Sequence, residues 1–285
     1  MKIGVLHQYP ARSLSFVCPS LSALPAPKLS IALVTPSYQQ ASFLPATIES
    51  VLDQGYPDLR YAVIDGGSTD GSAGIIAQYQ ERLAYAISEP DGGQSDALRR
   101  GFEKVSGDIM GWLNSDDLLL PGSLDAVARY FAEHPEVDVV YGHRIVIDAE
   151  GKEVGRWLLP SHHPECFRLF DMIPQETCFW RRSIWEKVGG IDSSFHFAMD
   201  WDLFLRFEGA GARFRRLPLF LGCFRVHSAQ KTSSLYDTTG QKEVDRLHLR
   251  EFGRKFTPEE LRPTFEAVQC RAAWVARLWE RGIWR

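Results

Sequence analysis

The sequence predicts an α/β protein with a mostly parallel sheet, and three observations support this fold class. Short apolar runs typical of buried strands recur through the first half of the chain, and turn residues end them. Helical segments alternate with these runs, which favours right-handed connections between parallel strands. The chain has 285 residues, of which 45% are hydrophobic and 24% are charged. This composition is typical of a soluble globular protein with one large domain or two small ones.

The elements of the first half follow in order from these runs. Residues 1–28 are rich in Pro, Ser and Ala, and we predict a loosely ordered arm there. Strands are then predicted at 31–35, 61–65, 83–88 and 108–113. Helices are predicted between and after them, at 46–54, 71–79, 95–105 and 123–131.

After about residue 137 the pattern changes to an α+β character, which is compatible with one continuous sheet. Longer strands are predicted at 139–148 and 154–159, and an extended segment at 214–218. Helices are predicted at 182–188 and 201–208. Residues 241–285 then read as a helical tail, with helices at 241–252 and 258–281.

Charge, hydropathy and cysteine spacing exclude several classes of protein. The net charge of −4 argues against a general nucleic-acid binder, which normally carries a basic excess. No apolar run reaches the length of a membrane-spanning helix, and the N-terminus lacks the apolar core of a secretory signal. The five cysteines are scattered without a CxxC spacing, so neither a zinc ribbon nor a disulfide framework is indicated. A reducing cytoplasm fits this pattern best.

The residues that follow the predicted strands carry most of the chemistry. In an open α/β sheet, ligands bind at the C-terminal ends of the strands, near the switch in strand order. Asp116 and Asp117 follow an apolar strand directly, with no Lys or Arg nearby in sequence. Carboxylates in that setting fit Mg²⁺ or Mn²⁺ whose coordination is completed by substrate phosphate. The alternative is that Asp117 caps the next turn and Asp116 is solvated.

Six segments, taken in order, resemble family 2 glycosyltransferases, which have the GT-A fold. They lie between residues 29 and 234 and read TPSYQQASFLPATIESVLDQGYPDLRYAVIDGGSTDGS, SEPDGGQSDALRRGF, GDIMGWLNSDDLLLPGSL, QETCFWRRSIWEKVGGIDSSF, AMDWDLFLR and FRVHSAQKTSS. The resemblance implies transfer of a sugar from a nucleotide-diphosphate sugar, with UDP-sugar favoured, to an acceptor hydroxyl. Inversion, a Mn²⁺ or Mg²⁺ cofactor and a role in polysaccharide, glycolipid or glycan biosynthesis are implied with it. Residues 29–240 would form the GT-A domain, with a nucleotide-sugar half at about 29–136 and an acceptor half at about 137–240.

On the donor side, the resemblance implies a set of nucleotide-binding and metal-binding residues. Those near the nucleotide are Thr35, Pro36, Tyr38, Asp65, Gly67, Asp91, Asn114 and Ser115. Within this set, Asp65 would hydrogen-bond the base. Asp116 is the implied metal ligand and Asp117 a secondary candidate. Asn114 stands where the family has the first acid of its Asp-x-Asp motif; it can still bond ribose or a metal-bound water.

On the acceptor side, the resemblance implies that Asp200 is the general base. Met199 replaces the Glu that usually precedes this Asp in the family. The alternative for Asp200 is a helix N-cap, and the two roles are compatible. Gln175 and Glu176 resemble an acceptor-side segment, although Glu176 also reads as a buried, hydrogen-bonded acid.

His227 stands where the family often places a His that completes the metal or pyrophosphate shell. The alternative is a structural histidine. The flanking Arg225 and Lys231 favour phosphate contact, because basic side chains offset the charge of a leaving group.

Two other functions compete with sugar transfer. A nucleotidyltransferase usually has a Gly-rich, basic phosphate loop after its first strand, whereas residues 35–40 contain neither Gly nor a basic residue. A non-catalytic nucleotide-sugar-binding protein is compatible with Asn114 and Met199. The presence of Asp116, Asp200 and His227 together argues against it.

The helical tail has a basic amphipathic pattern that suggests a contact surface. Its apolar and basic positions are Phe265, Val268, Ala272, Trp274, Val275, Trp279, Ile283 and Trp284, with Arg271, Arg277, Arg281 and Arg285. Such a helix can lie on an anionic membrane at the inner face, which would suit a lipid-linked rather than a free carbohydrate acceptor. Docking on the protein's own domain or on a second subunit is the alternative.

Overall fold

The computed structural model describes residues 4–16, 28–228, 230 and 236–280, and in this part of the chain ten strands form one sheet. The strands are β1 (Val5–Arg12), β2 (Ile31–Ser37), β3 (Leu59–Asp65), β4 (Tyr85–Ser88), β5 (Ile109–Trp112), β6 (Leu118–Leu119), β7 (Val139–Ile147), β8 (Glu153–Leu158), β9 (Phe179–Arg181) and β10 (Phe214–Arg225). The helices are α1 (Leu44–Leu52), α2 (Ser72–Gln78), α3 (Gln94–Lys104), α4 (Ser123–Glu133), α5 (Pro164–Leu169), α6 (Arg182–Val188), α7 (Met199–Gly209), α8 (Gln241–Phe252) and α9 (Pro258–Glu280).

The sheet is parallel where the predicted strand-end motifs lie and mixed elsewhere. Its order is β1-β8-β7-β9-β5-β2-β3-β4, and β10 pairs with β6 and β7. Strands β5, β2, β3 and β4 run parallel, whereas β9 pairs antiparallel with β5 and β7. The chain passes from β2 outward to β3 and β4 and then returns to the other side of β2 as β5. The switch in strand order therefore falls between β2 and β5, where a ligand crevice is expected.

Apolar side chains cover both faces of the sheet and pack against helices on each side. Ala32 and Val34 of β2 face the layer that contains α3, α7 and α8, while Ile31 and Leu33 face α1 and α4. This alternation follows from the two-residue period of a strand. The fold is therefore the α/β sandwich that the sequence predicts, with helices on both faces of a mostly parallel sheet.

The prediction of a loosely ordered arm at residues 1–28 is wrong for Val5–Arg12. These residues form β1, which pairs antiparallel with β8 at the end of the sheet. The backbone N–H of Gly4 donates to Gln269 of α9 at 2.9 Å. The error arose because a half-exposed edge strand lacks the apolar run that marks a buried one. Residues 17–27 lie outside the described part of the chain.

The second half contains elements that the sequence pattern did not indicate. Strand β10 continues from Phe214 to Arg225, whereas the prediction ended it at residue 218. Strands β6 and β9 are only two and three residues long, and helix α5 has six, so none of them is long enough for its hydrophobic pattern to complete two periods.

The two helices predicted for the C-terminal segment are present and pack against the main core. Leu247 of α8 and Val268 and Ala272 of α9 are buried, and Phe265 packs beside them. This part of the segment therefore docks on its own domain. The side chains of Arg271 and of residues 274–280, and all of residues 281–285, lie outside the description. No helix in the described ranges combines the length and the hydropathy needed to cross a bilayer.

Candidate active site

The candidate site lies where the parallel strands end. Strands β2, β3 and β4 are in register through Ser37, Asp65 and Ser88, so these three residues share one edge of the sheet. The backbone N–H of Gly66 donates to the carbonyl of Ser37, which carries the pairing of β2 and β3 one residue beyond Asp65. The strand-end loops therefore project together from this edge.

Asp65 lies at the centre of this edge, between Ser37 of β2 and Ser88 of β4. Its carboxylate is buried and accepts hydrogen bonds from the backbone and hydroxyl of Ser68, at 2.9 and 2.6 Å, and from the hydroxyl of Ser88 at 2.6 Å. An ionised carboxylate offers about four acceptor positions. Three donors leave one acceptor position for a further donor.

Two glycines let the third strand-end loop pack onto the second. A Cβ on Gly66 would lie 3.0 Å from Asp91 Oδ1, and one on Gly67 would lie 2.9 Å from the Pro90 nitrogen. Gly67 also has φ +78°, which side-chain-bearing residues rarely adopt. Desolvation raises the pKa of Asp91, and the charges of Asp96 and Asp65 act in the same direction. This packing brings the two predicted donor-site acids close together.

Asp116 and His227 meet although 111 residues separate them in the sequence. His227 Nε2 lies 3.0 Å from Asp116 Oδ2, and the His227 ring packs on Phe43 with centroids 4.6 Å apart. The Asp116 side chain remains 19% exposed. The family resemblance implies that Asp116 and His227 belong to a metal site, and the structure brings the two side chains together.

The atoms of this pair fit a divalent ion. Two ligands in adjacent octahedral positions at about 2.1 Å from an ion lie about 3 Å apart, which matches the observed separation. Carboxylate oxygen suits Mg²⁺ and Mn²⁺, and imidazole nitrogen suits softer first-row ions. Across the described ranges, no three His, Cys, Asp or Glu side chains form a ready-made metal cage. The pair therefore fits a divalent ion that retains water or substrate oxygens.

Arg225 and Thr47 hold the loop that carries Asp116. The guanidinium of Arg225 is buried, and its Nε donates to the carbonyl of Asp116 at 2.7 Å. Its Nη1 donates to the carbonyls of Asp148 and Ala149, at 3.2 and 3.1 Å. From the other side, the Thr47 hydroxyl lies 2.9 Å from the Ser115 carbonyl and 2.8 Å from the Asp117 carbonyl.

Asp117 is buried behind this loop. Its Oδ1 accepts the backbone N–H of Arg225 at 3.0 Å. Desolvation raises its pKa well above the usual value, and the charges of Asp116 and Glu176 act in the same direction. Asp117 thus joins the end of β10 to the loop that carries Asp116, while Asp116 is the member of the pair that solvent reaches.

Asn114 is oriented by a neighbour that the sequence analysis did not single out. Gln94, the first residue of α3, donates through Nε2 to Asn114 Oδ1 at 2.7 Å. The Asn114 amide nitrogen then lies 3.5 Å from Asp117 Oδ2. An Asp at this position would place a second charge beside Asp117, so Asn114 reduces the repulsion within the loop.

Asp200 belongs to a group of acids centred on Arg144. Asp200 stands in the first turn of α7, where its Oδ1 accepts the N–H of Trp201 at 2.9 Å. The charge of Asp200 raises the pKa values of Asp171 and Glu176, after desolvation as the first cause. Arg144 opposes these shifts and contacts Glu176 through Nε and Nη2, at 2.8 and 3.1 Å. The charge of Glu176 also acts on Asp117. The acids thus couple the Asp116–Asp117 loop electrostatically to Asp200.

The sequence analysis missed Asp171 and Arg144. Asp171 is exposed at the surface, and desolvation and the charge of Asp200 raise the pKa of its carboxyl group well above the usual value. Arg144 lies within β7 and stacks on Trp157 and Phe224, with its Cζ 5.1 and 4.7 Å from the ring centroids. The adjacent basic residues His143 and Arg144 in an otherwise apolar strand were the only local signal for Arg144, and Asp171 had none.

Several predicted residues contribute to packing more than to an open site. The Thr35 hydroxyl is buried and lies 2.8 Å from the hydroxyl of Tyr61, and Pro36 is buried beside it. Tyr38 is 63% exposed at the edge and is free to cover a ligand. Gln175 is buried and donates to the carbonyl of Trp112 at 2.6 Å. Lys231 lies outside the described residues.

Comparisons with known proteins show the family and the fold of the chain. The family model described as "Glycosyl transferase family 2" matches residues 32–187. The O-antigen biosynthesis protein RfbC of Myxococcus xanthus is 30% identical over 185 residues, which are 63% of this chain but only 14% of RfbC. An uncharacterized glycosyltransferase of Nostoc sp. is 26% identical over 238 residues, 76% of this chain and 70% of that protein.

Two solved structures share the fold. TarS of S. aureus in complex with UDP-GlcNAc gives a TM-score of 0.64 at 17% identity, over 84% of this chain and 70% of that one. The mannosyltransferase PcManGT of Pyrobaculum calidifontis, in complex with GDP-Man and Mn²⁺, gives 0.63 at 16% identity, over 90% and 79%. The fold and the site thus define a GT-A glycosyltransferase. More particularly, the chain belongs to glycosyl transferase family 2, and it is an enzyme of that class.

Proposed function

We propose that this enzyme transfers a sugar from a nucleotide-diphosphate sugar to an acceptor hydroxyl, with inversion and with a divalent metal. The observation that carries the proposal is the contact between Asp116 and His227 at the switch in strand order. The bound UDP-GlcNAc of TarS and the GDP-Man and Mn²⁺ of PcManGT support this donor class. The name of RfbC supports a role in polysaccharide, glycolipid or glycan biosynthesis.

In this proposal, residues 29–136 bind the donor. Asp65 accepts an N–H of the base, which favours a uracil donor, and Tyr38 covers the nucleotide at the edge. Asp91 and Asn114 border the ribose and the sugar. Asp116 and His227 hold Mn²⁺ or Mg²⁺, which when bound neutralises charge on the diphosphate leaving group.

Residues 137–240 provide the acceptor side in the same proposal. Asp200 accepts the proton of the acceptor hydroxyl as that oxygen attacks the anomeric carbon. One displacement inverts that carbon and needs no covalent intermediate. Arg144 compensates the charge of Asp171 and Glu176, the acids that interact with Asp200. Arg225 holds the Asp116 loop, because its Nε and Nη1 donors are bound to carbonyls.

The arrangement favours transfer over the two alternatives. A nucleotidyltransferase would need basic groups at the end of β2, where Tyr38 and the buried Ser37 stand instead. A binding protein would not need an acid on the acceptor side, yet Asp200 interacts electrostatically with Asp171 and Glu176. Asp200 is also partly exposed, as an acid that accepts a proton from a bound acceptor must be.

A donor panel tests the proposal. The protein would be titrated with UDP, GDP and dTDP, with and without Mn²⁺, and then incubated with the corresponding sugars to detect slow donor hydrolysis. We expect Mn²⁺-dependent binding of UDP and release of free sugar from at least one UDP-sugar. Binding without turnover over a broad acceptor panel would favour the binding-protein alternative. Nucleotide binding that is indifferent to Mn²⁺ would refute the metal assignment.

A further inference from the structure

Helix α8, which lies beyond the part matched by the family model, carries a buried carboxylate that binds the backbone just before Asp200. Glu243 Oε1 accepts the N–H of His196 at 2.8 Å. Its Oε2 accepts the N–H groups of Phe197 and Ala198, at 2.9 and 2.8 Å. Glu243 is 7% exposed, so water is poorly placed to replace it at these donors. Three consecutive N–H groups therefore depend on one side chain.

The same helix holds the chain on the other side of Asp200. Arg250 forms an ion pair with Asp202, whose side chain is fully buried. Arg206 donates to the second oxygen of Asp202 through Nε and Nη2, at 2.9 and 2.8 Å. Glu243 and Arg250 are seven residues apart, which is about two helical turns, so both project from one face of α8.

Close packing strengthens this attachment. Gly240 directly precedes α8, and a Cβ at that position would lie 3.0 Å from the Phe197 ring. Leu247 is buried in the core shared with α7. His248 packs edge-on against Trp201 with ring centroids 5.6 Å apart. Helix α8 thus holds the chain on both sides of Asp200 in the sequence, and it packs against the first turn of α7.

We propose that Glu243 is a positioning residue for the transfer reaction, which holds Asp200 at the geometry that proton acceptance requires. The inference rests on the proposed role of Asp200 as general base. A buried carboxylate orders residues 196–198, these residues set the start of α7, and the start of α7 sets the direction of the Asp200 side chain. Since a general base must lie within hydrogen-bond reach of its proton, a small shift of this turn impairs turnover while the donor loops on β2–β5 remain intact.

The test compares Glu243→Gln and Glu243→Ala with the control Asp245→Asn. Asp245 is an acid on the same helix that contacts Lys255 and Gln241 instead of residues 196–198. Gln keeps the size of Glu but offers one acceptor oxygen in place of two. We expect kcat to fall about 10- to 100-fold in both Glu243 variants, with the donor KM within about twofold of the parent. Asp245→Asn should keep both constants.

Hydrogen exchange supplies a readout that does not depend on catalysis. The amides of residues 196–201 should exchange faster in Glu243→Gln, whereas those of β2 and β3 should not change. If the Ala variant fails to fold, the Gln variant decides. Unchanged kcat in Glu243→Gln, or a parallel loss of kcat and donor affinity, would overturn the inference. Asp200→Asn separates the two proposals, since full activity in that variant would remove the proposed base whatever Glu243 does.

Discussion

The two halves of the protein assemble their functional groups by different means. In residues 29–136, several contacts that shape the edge are short in sequence, as between Asp65 and Ser68 or between Asp91 and Gly93. The loop that carries Asp116 is the exception, because Thr47 binds it across 68 and 70 residues. In residues 137–252, the partners are distant. Arg144 binds Glu176 across 32 residues, and Glu243 binds residue 197 across 46. Local turn chemistry therefore shapes the loops after β3 and β4, whereas the Asp116 loop and the second half of the site depend on long-range contacts.

The largest expected effect comes from the second half. Asp200→Asn should lower turnover by about 10²- to 10⁴-fold, the usual contribution of a general base, because the amide cannot accept the proton. Donor affinity in Mn²⁺ should stay near the parent value, since the donor loops are built separately. Initial rates with an acceptor and nucleotide titration measure the two quantities. Asp192→Asn, at a partly exposed acid outside the cluster, is the control. Near-normal turnover of Asp200→Asn would place the base elsewhere.

Arg144→Met probes the long-range charges directly. It leaves Glu176 buried without its ion-pair partner, which should cost about 3–5 kcal/mol in the free energy of unfolding. The double variant Arg144→Met/Glu176→Gln should recover much of that loss, because the uncompensated charge is gone. Urea denaturation at pH 7 measures both. Arg99→Met, at an exposed helix pair, should change stability by less than about 1 kcal/mol. A single variant as stable as the parent would show that Arg144 does not compensate the cluster.

Asp116→Ala tests the first half. Removing a ligand should weaken nucleotide-diphosphate binding in Mn²⁺ by about 100-fold or more, since even groups that only orient ligands contribute about 10- to 100-fold in metal affinity. Binding measured without metal should change little. Calorimetric titration of UDP with Mn²⁺ and with EDTA separates the two conditions, and Asp125→Asn on α4 serves as a control. Equal Mn²⁺-dependent binding by the variant and the parent would contradict the ligand assignment.

The same difference between halves explains what the sequence could predict. The strand-end motifs of the first half were identified because strand, turn and acid follow one another within a few residues. Asp116 and His227 were paired through the family resemblance, and the structure places them 3.0 Å apart. Arg144, Asp171 and Glu243 acquire their meaning only from partners tens of residues away, and β1 lacks the periodicity of a buried strand. The structural contacts of Arg225 were not predictable for the same reason, because its carbonyl partners lie on other loops, and its phosphate contact stays a prediction.

The smallest expected effect concerns His143, a buried histidine in β7 of the second half. Desolvation lowers the pKa of His143 to about 3, with a further contribution from the charge of Arg216. His143 Nδ1 accepts the N–H of Leu159 at 3.0 Å, which joins β7 to the end of β8. Because the unfolded chain takes up the proton near pH 6.5 and the folded protein does not, the stability contribution is complete above that pH. It falls as the pH drops toward 3, by up to about 1.4 kcal/mol per pH unit.

His143→Gln should therefore reduce the slope of unfolding free energy against pH between about 6 and 4.5, whereas His134→Gln, at a more exposed histidine, should not.

If long-range contacts hold the second half together, acid should also open β7 and β8 before the parallel strands. Hydrogen exchange at pH 5 would then show faster exchange in 139–158 than in 31–37 and 59–65. An equal slope in His143→Gln and parent would mean that this histidine is already protonated in the folded protein or is not a source of acid sensitivity. Uniform exchange across both regions would mean that the two halves, although built differently, unfold as one cooperative unit.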